Sequence, residues 1–457
     1  MPDKIGSESK DTYGMRWNRG FCVFETTNSW YYAESKGVTD MRKKTIFIVA
    51  SVFFALSFVY IAPPPVQAAQ QVLIGFVLPL TNSSANTGKQ IKLGATIAAD
   101  EINRKGGVAS LGGARLKLIF ADSETTPSVG YSVTERLITE EEVSVLCGAY
   151  NSFVTFPATT VAEKYKTPWV VTSSVMDDIT ERGFKYVFRP CNTALYDAKE
   201  QFASIEAFSE ETGAYPRTIG QIYQATEWGH SHAQNIRKLA KEKGFILIVD
   251  KAYFPDRGDF SEHLAQIRKR QPDLLFVSLY TDEHVAFSTQ YFESRIDIPF
   301  GIHSVGAGSE DPSFYTKVPR AGSEYMFVQE DWPIDRKNSN SRVQMLDKKF
   351  KAKLGFGIDA YGAQGYSNVY VIYDALERSG SAKREKIRDA LEKTNITGGP
   401  ALITGYQKIS FNKKGQNENA HGVVSQNQKG RHVTLWPMAN RLPGSKPVWP
   451  VPAWDMR

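Results

Sequence analysis

Six short segments of this 457-residue chain concentrate hydroxyl, amide and aromatic side chains: 80–88, 148–155, 172–178, 224–229, 280–284 and 303–308. Such Ser, Thr, Asn, Tyr and Trp side chains hydrogen-bond to, and stack on, a small polar molecule without breaking bonds in it. Bond-making needs an activated nucleophile, a metal or a cofactor, and the residues for these are badly placed. The seven histidines lack a convincing Ser or Asp partner, and no G-x-S-x-G elbow occurs. His230 and His232 stand two apart, so on a helix they point in different directions. They also lack a third ligand, and no Cys/His spacing resembles a zinc site, so no metal is expected. The loop after the first apolar run reads Leu78-Pro79-Leu80-Thr81-Asn82-Ser83, not the G-x-G-x-x-G that cradles a dinucleotide. No cofactor and no enzymatic activity are expected.

The elements that must hold these segments alternate along the chain. Strand-like runs at 72–78, 116–120, 143–147 and 168–171 are separated by helical windows, including 128–140 and 155–164. In the first helix Ile91, Ala95, Ala98, Ala99 and Ile102 share one side, and Gly106-Gly107 ends it. The rhythm restarts after Asn192, with helices at 196–208, 228–243, 260–268 and 284–293 between strands at 218–223, 245–253, 274–279 and 300–303. Continuous apolar strands alternating with helices predict parallel sheets covered on both faces. The expected fold class is α/β, as two doubly wound parallel-sheet lobes. Helices at 341–354, 367–378 and 383–393 follow, with a strand-like 408–411, and the Pro- and Trp-rich tail from Trp436 reads as irregular. In open α/β sheets ligands bind at the carboxyl ends of strands, where the six polar segments fall.

Composition narrows the setting. Fifty-five Lys and Arg against 49 Asp and Glu give a net charge of +6, a soluble surface without a nucleic-acid footprint. Met41 is followed by Arg42, Lys43 and Lys44, an apolar run at 46–61, Pro63-Pro64-Pro65 and the small-residue site Val66-Gln67-Ala68. Basic end, apolar core, breaker and small-residue site read as a cleavable secretory signal over 41–68. Residues 1–40 then read as an unstructured upstream extension. An uncleaved anchor with a cytoplasmic tail is the alternative, disfavoured because a membrane span needs about 20 apolar residues. Residues 69–457 are more than one hydrophobic core usually serves. Cys147 ends an apolar run and reads as a buried strand residue; a Cys147–Cys191 disulfide stays open.

From Val72 to about Gly415 the chain resembles type I periplasmic solute-binding proteins of the branched-chain amino-acid (leucine/isoleucine/valine-binding) ABC transporter family. The resemblance rests on Ile74-Gly75-Phe76-Val77-Leu78-Pro79-Leu80-Thr81 and on the helix 94–107, with its Asp100-x-Ile102-Asn103-x-x-Gly106-Gly107 ending. Asp122 with Pro127, Ile179-Thr180-Glu181-Arg182-Gly183, Phe188-Arg189, Asp259-Phe260, Pro272-Asp273 and Phe411-Asn412-Lys413-Lys414-Gly415 complete the series. It implies two lobes joined by a hinge of crossing strands, with 69–193 and 328–420 in one lobe and 194–327 with the tail 421–457 in the other. It further implies a periplasmic monomer that captures a small-molecule ligand in the interlobe cleft. Hinge closure would present it to the membrane permease subunits of an ABC importer. A sensor of the same fold, reporting to a regulatory partner, is the alternative.

In that family a Ser at the third helix and a nearby Thr hold the ligand carboxylate, which places Ser152 there and Thr155 as a helix cap. The next contact falls on Ser173, while the family's usual Thr there is Val175. Family acidic contacts to the ligand ammonium fall on Ala194 and Ser304, which cannot compensate a buried charge; Asp197 or Glu227 could substitute. The family aromatic is Tyr280, and Tyr150, Phe153, Tyr196 and Trp228 add rings around the expected cleft. These departures imply a second lobe that is aromatic and nearly neutral. Within the range of small polar solutes (amino-acid-like, aromatic carboxylate or amide), the departures point to a ligand other than a simple α-amino acid: an aromatic or other carboxylate, or a neutral amide-like solute.

Overall fold

The computed structural model describes residues 70–457 except 256–257, 312–313, 333–334 and 336–339. The signal-peptide reading of 41–68 and the extension 1–40 lie outside the described residues. The chain opens with β1 (Gln71–Leu78), α1 (Ala85–Arg104), β2 (Arg115–Asp122), α2 (Pro127–Thr139), β3 (Val145–Gly148), α3 (Ser152–Lys164), β4 (Trp169–Val171), α4 (Asp178–Glu181) and β5 (Val187–Phe188). These strands form a five-stranded parallel sheet in the order β2-β1-β3-β4-β5. Helices cover both of its faces, so β1 and β3 are buried along nearly their whole length, and their sequences run apolar without alternation.

The second set comprises α5 (Ala194–Thr212), β6 (Thr218–Gln224), α6 (Glu227–Glu242), β7 (Ile246–Tyr253), α7 (Ser261–Arg270), β8 (Leu274–Ser278), α8 (Thr281–Ser294) and β9 (Ile302–Val305). Three short helices follow, α9 (Ala307–Glu310), α10 (Phe314–Lys317) and α11 (Arg320–Ser323), and then β10 (Phe327–Glu330). The chain next builds α12 (Ser341–Leu354), α13 (Ala360–Ser379), α14 (Arg384–Glu392), β11 (Asn395–Ile396), β12 (Ile409–Ser410), β13 (Val423–Gln428) and β14 (Arg431–Trp436). The second sheet runs β14-β13-β10-β9-β8-β6-β7, parallel except for the antiparallel β10–β13 and β13–β14 pairs. The molecule is thus α/β with two lobes, but the second sheet ends in a hairpin that the strand pattern alone does not predict. Lys429 (φ 54°) and Gly430 (φ 71°) form its two-residue turn, whose left-handed backbone matches the twist of the strands.

Two other boundaries move. α3 begins at Ser152, three residues earlier than its apolar period suggests, with Asn151 as its N-cap. α13 begins at Ala360, not 367, because Gly362 and Gly365 mask its first turns in the sequence. Those glycines have a packing reason. A Cβ on Gly365 would lie 2.4 Å from the Ile91 carbonyl, and one on Gly94 2.1 Å from that of Gly362. Only bare backbone lets α13 return so close against α1.

The connection between lobes is built around Arg189, which is 1% exposed. Its N–H donates to Gly415 O (2.7 Å), and its carbonyl accepts from Asn417 N (3.0 Å), so the segments at 189 and 416 run side by side. The guanidinium donates to Gln416 Oε1 (2.5 Å), to Ser174 O (3.1 Å) and Met176 O (2.5 Å), and to Thr180 Oγ1 (2.7 Å). A charge this deep is tolerated because its donors find acceptors. Cys147 and Cys191 are both buried free thiols, so they form no disulfide; burial pushes the Cys147 thiol up to about 12.

Candidate functional site: the interlobe cleft

A cavity lies where the strand ends of the two sheets face each other. One wall carries Tyr150, Ser152, Ser173, Val175 and Tyr361; the other carries Asp197, Trp228, Tyr280, Val305, Gly306, Glu310 and Gln329, with Asp331 just beyond β10. The space between its walls, including the part open to solvent, is about 410 Å³. The facing walls lie close together.

Local sequence explains how the wall groups are aimed. Starting α3 at Ser152 puts its unpaired first-turn N–H groups and positive dipole end at the cavity wall. The Tyr280 hydroxyl, reaching across from the other lobe, sits against the Ser152 N–H and the Asn151 side chain. Tyr280 packs on Trp228 (centroids 4.7 Å apart) and on Tyr150 (5.6 Å), and Tyr150 packs on Tyr361 (5.3 Å). The Trp228 ring lies against the backbone of Gly306, where φ is +97° and a Cβ would stand 2.6 Å from the ring. Any other residue at 306 would push the ring out. Ser173 Oγ donates to Gln364 Oε1 (2.5 Å), and Gln364 Nε2 donates to Asp331 Oδ2 (2.7 Å), tying the β4 loop to the crossing after β10.

The cavity is acidic. Asp197 accepts from Asn192 Nδ2 (2.6 Å), and Asp331 accepts from Gln364. Glu310 is 8% exposed and has no hydrogen-bond partner among the described residues. Burial, together with Asp331, Glu200 and Asp177, holds the Asp197 carboxyl well above the usual range, against the pull of Arg189. Burial and then Asp331, Glu330, Asp359 and Asp197 do the same for Glu310. Burial also pushes Asp331 up to about 6. Nearby Glu200 is settled differently: it accepts from Gly422 N (3.0 and 3.1 Å) and Gln329 Nε2 (2.7 Å), and lies 3.4 Å from His421 Nδ1.

Of the eight residues that the sequence nominated, Ser152, Ser173, Tyr150, Trp228 and Tyr280 line the cavity. Thr155 does not; it lies one turn inside α3, fully buried, bonded to Asn151 O (3.0 Å) and Ser174 Oγ. It is therefore no cap, since the helix starts earlier than its apolar period suggests. Tyr196 sits beside the hinge, its ring 5.9 Å from that of His421. Ser304 is buried and shares a hydrogen bond with Ser309 (2.9 Å), while the next two residues, Val305 and Gly306, reach the cavity. Of the two acidic substitutes weighed, Asp197 lines the cavity and Glu227 lines the outer chamber. The expectation of a nearly neutral second wall is overturned by Glu310 and Asp331. Neither stands at an aligned acidic position; the hints in the sequence were Glu310-Asp311 just beyond the 303–308 loop and Asp331 at the end of a strand.

A cavity walled by hydroxyls, rings and carboxylates thus lies between the two lobes. Residues 71–431 match the family described as periplasmic binding protein, and the chain belongs to that family. Leu/Ile/Val-binding protein homolog 8 of Brucella melitensis biotype 1 is 27% identical over 409 residues, covering 87% of this chain and 97% of the relative. Two solved structures share the fold, each covering 80% of this chain with a TM-score of 0.67. One is the branched-chain amino acid transporter substrate-binding protein LivJ from Streptococcus pneumoniae in complex with isoleucine (20% identity, all of that chain covered). The other is an ABC transporter solute-binding protein from R. palustris in complex with benzoate (19% identity, 95% covered).

Proposed function

We propose that this chain is the extracytoplasmic receptor of an ABC importer, exported by the signal at 41–68, monomeric, and delivering its solute to membrane permease subunits. The observation that carries the reading is the cavity itself, walled by hydroxyl, aromatic and acidic side chains from both lobes. Ser152, Ser173, Tyr150, Trp228 and Tyr280 contact the solute, with Tyr196, Thr155 and Ser304 supporting the walls behind them. Binding energy here goes into recognition and lobe closure; the walls present no nucleophile–base pair. Among the described residues no helix is long and apolar enough to cross a membrane.

Isoleucine and benzoate in the neighbours leave amino-acid-like solutes, aromatic carboxylates and amides within the reach of the fold. The carboxylates of this cavity favour the first, since an ammonium compensates them and a second carboxylate does not. A thermal-shift screen of the purified protein against a solute library tests the receptor reading. Ligand at 100 times its dissociation constant should add about 2.7 kcal/mol and raise the melting temperature. A broad library without a hit would remove it.

A further inference from the structure

The geometry points to an organic cation as the solute: a small amine or guanidine with net positive charge, seated among Asp197, Glu310 and Asp331 with its carbon skeleton on the rings of Tyr150, Trp228 and Tyr361. This rests on the receptor reading above and narrows it.

Three observations carry it. The first is Glu310, a residue more than nine-tenths buried that lines the cavity, makes no hydrogen bond to the described residues and is set among Asp331, Glu330, Asp359 and Asp197. A buried carboxyl without a donor is costly, and a ligand N–H would remove the cost. The Trp228 indole N–H, 2% exposed, is also unpartnered; as a donor it would be met by an acceptor atom on the solute, not by its cationic group.

The second is the composition of the walls. Among the described residues lining the cavity there is no lysine or arginine, although the chain as a whole carries net charge +6. Aromatic faces beside carboxylates suit ammonium and guanidinium groups, which the rings attract through their negative faces. The described residues form no cluster of three or more acidic, His or Cys side chains that could hold a metal ion, so an extended organic cation fits better than a bare one. The Tyr280 hydroxyl stands near the helix start at Ser152 and so narrows the space there for a solute carboxylate.

The third is the approach. An outer chamber of about 1060 Å³ leads between the lobes and is lined by Glu124, Glu227, Asp282 and Glu283. The described residues lining it include His230 and no lysine or arginine; Lys317 stands 3.7 Å from Asp282 behind the rim. Such a mouth concentrates cations and repels carboxylates.

Titration calorimetry on the purified protein decides it, with agmatine, putrescine, choline, arginine and lysine set against leucine, phenylalanine, benzoate and benzamide. A net-positive solute binding at least tenfold tighter than every neutral or anionic one is expected. Glu310→Gln should weaken that binding tenfold or more, and raising salt should slow association. Leucine, benzoate or benzamide binding as tightly as any cation would overturn the inference and leave the receptor reading standing. Equal cation affinity in correctly folded Glu310→Gln and Asp331→Asn variants would also overturn it. Failure of every solute, in this panel and in the broad library, would remove the receptor reading and this inference together.

Discussion

Two regions of this molecule bury charge, and they treat it in opposite ways. At the hinge, Arg189 spends its guanidinium donors on carbonyl, amide and hydroxyl acceptors drawn from both crossing segments. In the cleft, Glu310 spends its acceptors on nothing that the described residues supply. Burial alone therefore does not mark function: a satisfied buried charge organises the fold, whereas an unsatisfied one is a place kept for something else. Between these extremes stand Glu200, held by Gly422, Gln329 and His421, and Asp331, which accepts from Gln364 but faces the Glu200 carboxylate.

The strongest way to break the comparison is at the hinge. Arg189→Ala would leave the carbonyls of Ser174 and Met176 and the Gln416 amide without their donor. It should cost about 3–5 kcal/mol of unfolding free energy, the usual loss when one partner of a buried charged network is deleted. Urea denaturation measures this as a lower midpoint; an unchanged midpoint would show that the guanidinium is not the keystone of the crossing.

Glu310→Gln should behave oppositely. With no partner to lose and a buried carboxyl removed, unfolding free energy should stay level or rise by about 1 kcal/mol, while solute affinity falls about tenfold or more, ~1.4 kcal/mol. A stability loss like that of Arg189→Ala would mean Glu310 is structural, and the contrast would collapse.

The pH dependence sharpens the same distinction. Asp331 is pushed up to about 6 by burial, with Glu200 adding to the push; the Gln364 and Asn192 amides hydrogen-bonding it pull the other way. A bound cation would hold it ionised and lower that value, so the part of the affinity that Asp331 supplies should be full above about pH 6. Below that it should decline, by at most tenfold per pH unit for each proton taken up. In the empty protein the sign reverses. A carboxyl raised above its unfolded value contributes most below the unfolded value, and that contribution is lost as pH rises through about 6. Calorimetry at pH 5 and 7 reads the first effect; a neutral solute would show no such fall.

How far the sequence reveals this arrangement follows from what local pattern can carry. Parallel strands buried on both faces announce themselves as apolar runs, so β1, β3, β6 and β8 are legible, as are the polar loops at their ends. The β13–β14 hairpin is not, because its buried Ser425, Gln426 and Asn427 read as a polar surface while they hydrogen-bond to Glu330, Tyr325, Val448 and Ser323 inside the protein. The cleft divides in the same way. Ser152, Ser173 and Tyr280 sit at strand ends, where position in sequence fixes position in space. Glu310 and Asp331 arrive through a short helix and a lobe crossing, where a shift of a few residues changes which side chain faces inward. Ser304 is the example: its own hydroxyl turns toward Ser309, and the acid comes six residues later.

Thr155 offers the finest test, because it separates a residue that touches solute from one that supports the wall. Its hydroxyl bonds to Asn151 O (3.0 Å) and to Ser174 Oγ, and it does not line the cavity. Ser174 keeps contacts to Tyr150 O (2.9 Å) and Ala149 O (3.4 Å) when Thr155 is changed. Thr155→Val should therefore lower unfolding free energy by only about 0.5–1.5 kcal/mol, the worth of one neutral hydrogen bond, and leave affinity within about twofold. Ser152→Ala, on the wall itself, should do the converse, with a small stability change and a measurable affinity loss. If Thr155→Val lost affinity without losing stability, the wall would extend one turn deeper into α3 than the lining residues indicate.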